Sequence, residues 1–192
     1  MKKIVQILTF LLLSSVYVQA EGFKLGLEAG FSPVELEAED TAQKIANASG
    51  STVTTEYDLG VFVGRIFGEF EISSQLSGQV GYFNTTAAEA TYTIGSDSAD
   101  ESYEASGFDL SAKFDFDTAF AKIGFHSSAL TGEQNVTIGS TTYTATGEAQ
   151  GTGMLFGAGI EYDNKYISIT RYNDVGGVDT DLTFFSIGFK IQ

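Results

Sequence analysis

Over residues 185–192 the side chains alternate without a break. Read with the strand period of two, Phe185, Ile187, Phe189 and Ile191 share one face, while Ser186, Gly188, Lys190 and Gln192 share the other. One side suits hydrocarbon and the other suits water or a polar interior. No later element is present in the sequence to bury the apolar side. The expectation is that this strand pairs with the first one, so that the sheet closes and its edge disappears.

Seven further segments repeat the pattern. In residues 22–31, Phe23, Leu25, Leu27, Ala29 and Phe31 oppose Lys24, Gly26, Glu28 and Gly30. A second strand is expected at 57–67, with Tyr57, Leu59, Val61 and Val63 outward, Asp58, Gly60 and Gly64 inward, and Phe62 on the inward side. Residues 75–83 set Leu76, Val80 and Tyr82 against Ser77, Gln79 and Gly81. In 107–116, Phe108, Leu110, Ala112, Phe114 and Phe116 alternate with Asp109, Ser111, Lys113 and Asp115. Strands at 119–126, 153–162 and 165–172 bring the number to eight. Short connections, among them Asp117-Thr118 and the hairpin signal Asp163-Asn164, alternate with longer polar ones at 35–56, 84–106, 127–150 and 173–181. Fifteen of the 25 acids lie in those four connections, beside a single base, Lys44, so the loop end of the molecule is acidic.

The first residues belong to something else. Met1-Lys2-Lys3 is a basic start, Ile4 to Leu13 is mostly apolar, and Val18-Gln19-Ala20 is a small-residue cleavage site, so residues 1–20 read as a secretory signal peptide and 21–192 as one domain. The apolar run is shorter than the ~20 residues of a spanning helix. Any membrane-spanning unit must then be made of strands, because only helices and closed barrels satisfy their backbone groups in lipid. The absence of Cys excludes a lipid-modified cysteine anchor, disulfides and thiolate chemistry. Without Lys2 and Lys3 the net charge moves from −15 to −17, which argues against nucleic acid as a partner.

The resulting fold class is all-β: an eight-stranded antiparallel up-and-down transmembrane β-barrel following a cleaved signal peptide, with short turns at one end and long loops at the other. Eight strands enclose an interior filled by side chains, so no open pore is expected. Gly157-Ala158-Gly159-Ile160-Glu161-Tyr162, the strand through Tyr172, Asn173-Asp174-Val175-Gly176 and the ending Phe185-Ser186-Ile187-Gly188-Phe189 together resemble the OmpA-like family of small outer-membrane β-barrels. The likeness is sequence-specific over about the last 40 residues, the stretch that forms the closing strands of such barrels. It implies a bacterial outer-membrane location, with outer-membrane lipid, lipopolysaccharide and the barrel-assembly machinery as partners. It also implies that Phe185, Ile187, Gly188, Phe189 and Ile191 act as the assembly signal. Such chains usually finish on an aromatic residue, whereas here Gln192 follows Ile191. No peptidoglycan-binding domain is expected after the barrel.

Lys24, Glu28, Asp58, Asp109, Lys113, Asp115, Lys122, His126, Glu161 and Lys190 all take the inward phase, and they are expected to pair into a charged interior network, since isolated buried charges cost several kcal/mol each. Arg65 and Arg171 take the outward phase near strand ends. Snorkelling is one reading of both, and contact of Arg171 with lipopolysaccharide phosphate is the other. Tyr57, Tyr82, Tyr162 and Phe116 are candidates for aromatic girdles. His126-Ser127-Ser128 is similar to the His-x-Ser of the lipid A deacylase family, but the Asn following the Ser there is replaced by Ala129, and His126 has inward phase. The acids around Asp97 and Asp100 read as solvated surface charge, without the spacing of a calcium loop.

These readings converge on a monomeric, non-enzymatic outer-membrane barrel with no cofactor and no metal. Its role would be envelope integrity or adhesion-type surface contact through acidic extracellular loops whose partner the sequence does not name. The alternative is a small porin or a channel for an ion or apolar ligand. Below it stand a lipid A deacylase-like enzyme and a secreted lipocalin-like binder, which would turn the apolar faces inward.

Overall fold

The computed structural model describes residues 22–33 and 52–191. The signal peptide expected at 1–20, most of the first polar connection and Gln192 lie outside them. Ten strands follow in order: β1 (Phe23–Pro33), β2 (Val53–Tyr57), β3 (Gly60–Ser73), β4 (Leu76–Thr85), β5 (Ala88–Ile94), β6 (Asp97–Phe116), β7 (Ala119–Ile138), β8 (Thr141–Tyr162), β9 (Lys165–Tyr172) and β10 (Leu182–Ile191). Eight of these form a closed antiparallel ring, β1-β3-β4-β6-β7-β8-β9-β10, with β10 returning to β1 from Leu25↔Ile191 to Phe31↔Phe185. The expected closure between the last strand and the first is therefore present.

Which face looks outward decides what kind of barrel this is. Phe108, Leu110, Phe114 and Ile187 are exposed at 47, 56, 40 and 67%, whereas Asp109 and Lys113, between them in the chain, are each 2% exposed. Inward glycines, hydroxyls and charges alternate with this apolar outer belt around the ring. A soluble barrel would carry the reverse arrangement. Here the belt matches hydrocarbon, and the closed ring leaves no strand edge in it.

Two departures from the sequence reading concern the loop end. Residues 97–106, 127–138 and 141–150 were expected in loops, yet β6, β7 and β8 continue through them to lengths of 20, 20 and 22 residues. A transmembrane strand needs only about 9–11 residues. The surplus stands above the barrel as a five-stranded wall, β2-β5-β6-β7-β8, in which β5 pairs with β6 and β2 pairs with β5. Out of the membrane neither face needs to be apolar, so these strands lack the alternation that marks the others.

The second departure is the phase of β3. Phe62 points out at 66% exposure, while Val61, Val63 and Arg65 point in at 3, 5 and 6%. The loop-end half of the lumen is apolar, packed by Val63, Phe83, Ala105, Leu155, Tyr172, Val175, Leu182 and Phe184. Apolar residues therefore occupy both faces of β3 at this height, and hydrophobicity alone assigns the wrong one. Phe70 and Ile72 belong to the turn-end part of β3.

Candidate functional site

The lumen is sealed in layers, and the lowest apolar layer depends on glycine. Gly26 lies across from Phe67, Gly188 from Tyr166 and Gly159 from Phe120. Each ring covers its glycine so closely that an added Cβ would come within 2.0, 2.3 and 2.5 Å of it, respectively. The three rings then meet edge-on, with Tyr166 6.2 Å from Phe67 and 6.1 Å from Phe120. Each also carries a cation over its face: Arg65 at 4.5 Å from Phe67, Lys113 at 4.9 Å from Phe120 and Lys190 at 6.0 Å from Tyr166.

Ion pairs occupy the levels on either side. Toward the loop end, Arg65 donates from Nε and Nη2 to both oxygens of Asp109, at 2.8 and 2.6 Å, and from Nη1 to Glu28 at 3.1 Å. This fork is the geometry that guanidinium offers and ammonium does not. Glu28 also accepts from Ser168 at 3.1 Å and Tyr166 at 3.3 Å, and Asp109 accepts from Tyr172 at 3.3 Å. Toward the turn end, Lys190 bridges Glu69 and Glu161 at 2.8 Å each, and Lys113 bridges Glu161 at 3.0 Å and Asp115. Gln79 joins the two levels by donating to Glu69 at 2.7 Å and accepting from Arg65 at 3.4 Å. The void among these groups is about 10 Å³, room for no more than about one water. Beneath it a vestibule of about 250 Å³ opens at the turn end, lined by Lys24, Glu69, Asp115, Glu161 and Asp163 among others.

The opposite mouth is closed by the β9–β10 connection. A single 3-10 turn, Val175–Gly177, puts Val175 at 0% exposure into the apolar cluster. Gly176 N–H donates to Ser128 Oγ at 2.9 Å, Ser128 Oγ lies 3.2 Å from His126 Nδ1, and His126 Nε2 lies 2.7 Å from the Asn173 carbonyl. Since a carbonyl only accepts, Nε2 carries a proton, and in the neutral ring Nδ1 takes the Ser128 hydroxyl hydrogen. The two side chains are in contact although their positions along the strand are about 7 Å apart. His126 and Ser128 are 2 and 5% exposed and face the lumen, away from the lipid belt.

The residues expected in the network divide as follows. Glu28, Asp109, Lys113, Asp115, Glu161 and Lys190 are joined in it, and His126 belongs to the latch above. Lys122 is buried but reaches no carboxylate at ion-pair distance among the described residues; its stem lies on Gly157, where a Cβ would sit 2.5 Å from Lys122 Cε. Lys24 is half-buried at the vestibule. Asp58 is a correction: it is exposed at the break between β2 and β3, where its carboxylate accepts from Glu89 N–H at 3.1 Å, because the true phase of β3 begins after it. Arg65 is the opposite correction, since the same phase makes it the hub of the lumen. Arg171 is outward and exposed, held by Asp181, which also accepts from Asp174 N–H at 3.1 Å. Phe185, Ile187, Phe189 and Ile191 lie on the outer belt, while Gly188 lies under Tyr166. Among the girdle candidates, Tyr82, Tyr162 and Phe116 are outward at 38, 74 and 64%, and Tyr57 belongs to β2 in the wall.

Above the barrel the wall carries Glu56, Glu89, Asp97, Asp100, Glu101, Glu104, Glu133 and Glu148, and its described residues include no base. Its inner face forms a groove of about 510 Å³ lined by Tyr103, Leu130, Gly132, Ala145, Gly147 and Ala149, with polar neighbours. Tyr103 lies across from Gly132 and repeats the ring-over-glycine pairing of the lumen. Partial burial and then the Glu101 carboxylate raise its phenol above the ordinary value.

No family model matches the sequence, and no curated protein matches it. Solved structures do. The crystal structure of Ail, the attachment invasion locus protein of Yersinia pestis, in complex with the heparin analogue sucrose octasulfate, aligns over 88% of this chain and 99% of its own at 8% identity, with a TM-score of 0.50. The fold they share is a closed eight-stranded antiparallel barrel. At that identity the likeness speaks to architecture alone. Neisserial surface protein A matches over 89% of this chain and 97% of its own at 16% identity and TM-score 0.43. The N-terminal β-barrel domain of Pseudomonas aeruginosa OprF matches over 88 and 97% at 14% identity and TM-score 0.35. The barrel described here differs from a bare eight-stranded ring in one respect: the wall adds β2 and β5 to the sheet.

Proposed function

We propose that this protein is a closed, non-catalytic barrel of the bacterial outer membrane that holds an acidic strand wall outside the cell, where it serves envelope integrity or surface contact. The sealed lumen carries the reading. Three aromatic rings, two linked ion-pair clusters and an inserted loop leave a void near one water in size, so ions and solutes have no path. Catalysis is disfavoured by the position of the His126–Ser128 pair, which is buried and already engaged with Gly176 and Asn173. The sulfated ligand that Ail holds is a poor guide to this chain, because a wall with eight acids and no base repels sulfate. Lipopolysaccharide remains a partner in this proposal through the outer belt, although Arg171 is neutralised by Asp181. Assembly through Phe185, Ile187, Gly188, Phe189 and Ile191, and a monomeric state, belong to the same proposal. Refolded protein in a planar bilayer should show small or no conductance. Stable openings in the nanosiemens range would replace this reading with the porin alternative. A deletion strain should lose envelope integrity or surface contact while lipid A acylation is unchanged.

A further inference from the structure

Strand β8 is covered on both sides near the membrane and on one side above it. β9 pairs with its residues 155–162, whereas β7 pairs with it from Ala119↔Ile160 to Ile138↔Thr141 in unbroken register. Met154 O accepts from Asn173 N–H on the β9 side, and Glu161 N–H donates to Thr118 O on the β7 side. Even-numbered residues therefore turn their backbone groups away from β7. With no bulge to change the phase, Thr142, Thr144, Thr146 and Glu148 present N–H and C=O groups along an edge that no described strand pairs. Natural edges are usually blunted by Lys, Pro, a bulge or an inward charge. Thr141-Thr142-Tyr143-Thr144-Ala145-Thr146-Gly147 has none of these and is rich in strand-favouring residues.

The edge borders the groove on the inner face, where Ala145 and Gly147 of β8 lie beside Leu130, Gly132 and Tyr103. An added strand would place every second side chain over that groove. Its remaining side chains would fall on the outer face, in line with Glu148 and Glu133. We propose that this edge takes an extended segment of a partner polypeptide as a further strand of the wall, with apolar residues toward the groove alternating with basic residues outward. Main-chain hydrogen bonds would supply affinity and the groove would supply specificity, as in other strand additions. Charge selects the partner: the wall has no base, so a basic segment is attracted, and a second copy of this acidic chain is repelled. The proposal rests on the reading of the wall as a contact surface.

The test uses full-length refolded protein in micelles and a synthetic peptide alternating Val with Lys over about eight residues, a usual strand length. Backbone hydrogen exchange at Thr142, Thr144 and Thr146 should be fast in the protein alone and at least about tenfold slower with peptide. Thr144→Pro removes only an edge-facing N–H, so it should leave the barrel folded by gel migration and abolish the effect. The proposal is overturned if those amides are protected before peptide is added, if Thr144→Pro binds as well as the parent, or if a Val-Glu peptide binds equally. A dimer that Thr144→Pro dissociates would give the edge to a second copy and overturn it as well. Failure of peptide binding in a protein whose deletion still abolishes surface contact sinks strand addition and leaves the contact reading standing. Peptide binding without any surface phenotype supports strand addition and removes the contact reading instead.

Discussion

Arg65 shows how one side chain can organise a lumen. It is 6% exposed, bound to two carboxylates and a glutamine, and stacked on Phe67, so each neighbour depends on its charge. Arg65→Met would leave Glu28 and Asp109 buried without their cation, and should cost about 3–5 kcal/mol. Urea titration of the heat-modifiable gel shift would measure this. Adding Glu28→Gln and Asp109→Asn to Arg65→Met should recover much of the loss, because the stranded charges are then gone. Gly188 makes a second point about single residues. A side chain there must displace the Tyr166 ring, and with it the contacts of that ring to Phe67 and Phe120. Gly188→Val should therefore destabilise by about 1–3 kcal/mol in the same assay, the range of an overpacked core.

At the level of elements, the connection from β9 to β10 is held by side chains of another strand. Ser128→Ala removes the acceptor of the Gly176 N–H, which should cost about 1–3 kcal/mol locally. Amides 175–177 should then exchange faster, while those of β10 stay protected. An unchanged exchange rate would show that Val175 packing alone keeps the mouth closed. The β7–β8 hairpin offers a contrast between neighbouring positions. Ala145 directs its N–H toward β7 and Thr144 does not, so Ala145→Pro should fray the hairpin tip in hydrogen exchange and Thr144→Pro should not. Equal fraying in both would mean that the edge is not where the register puts it.

For the molecule as a whole, the decisive fact is the placement of faces: an unbroken apolar belt outside, with every buried charge inside. A lysine introduced on the outer belt should then be penalised by depth. Leu110→Lys, near the middle of the belt, should cost about 2–4 kcal/mol, and Phe116→Lys, at the turn end, about 0–1. Equal costs would place the membrane elsewhere. The sequence by itself determined the eight spanning strands, their closure and the outward belt, because lipid imposes a strict period of two wherever it touches the chain. It also set Glu28, Asp109, Lys113 and Lys190 on the inner phase, since a charge cannot share the face of Phe108 or Ile187. Only the tertiary structure decided the rest. Val61 and Phe62 are both apolar, so the phase of β3, and with it the inward turn of Arg65, depended on the apolar cluster at the loop end. The strands of the wall touch no lipid, so no alternation marked them. The match of each glycine to its ring is a relation between strands distant in the chain, and it exists only once their register is set.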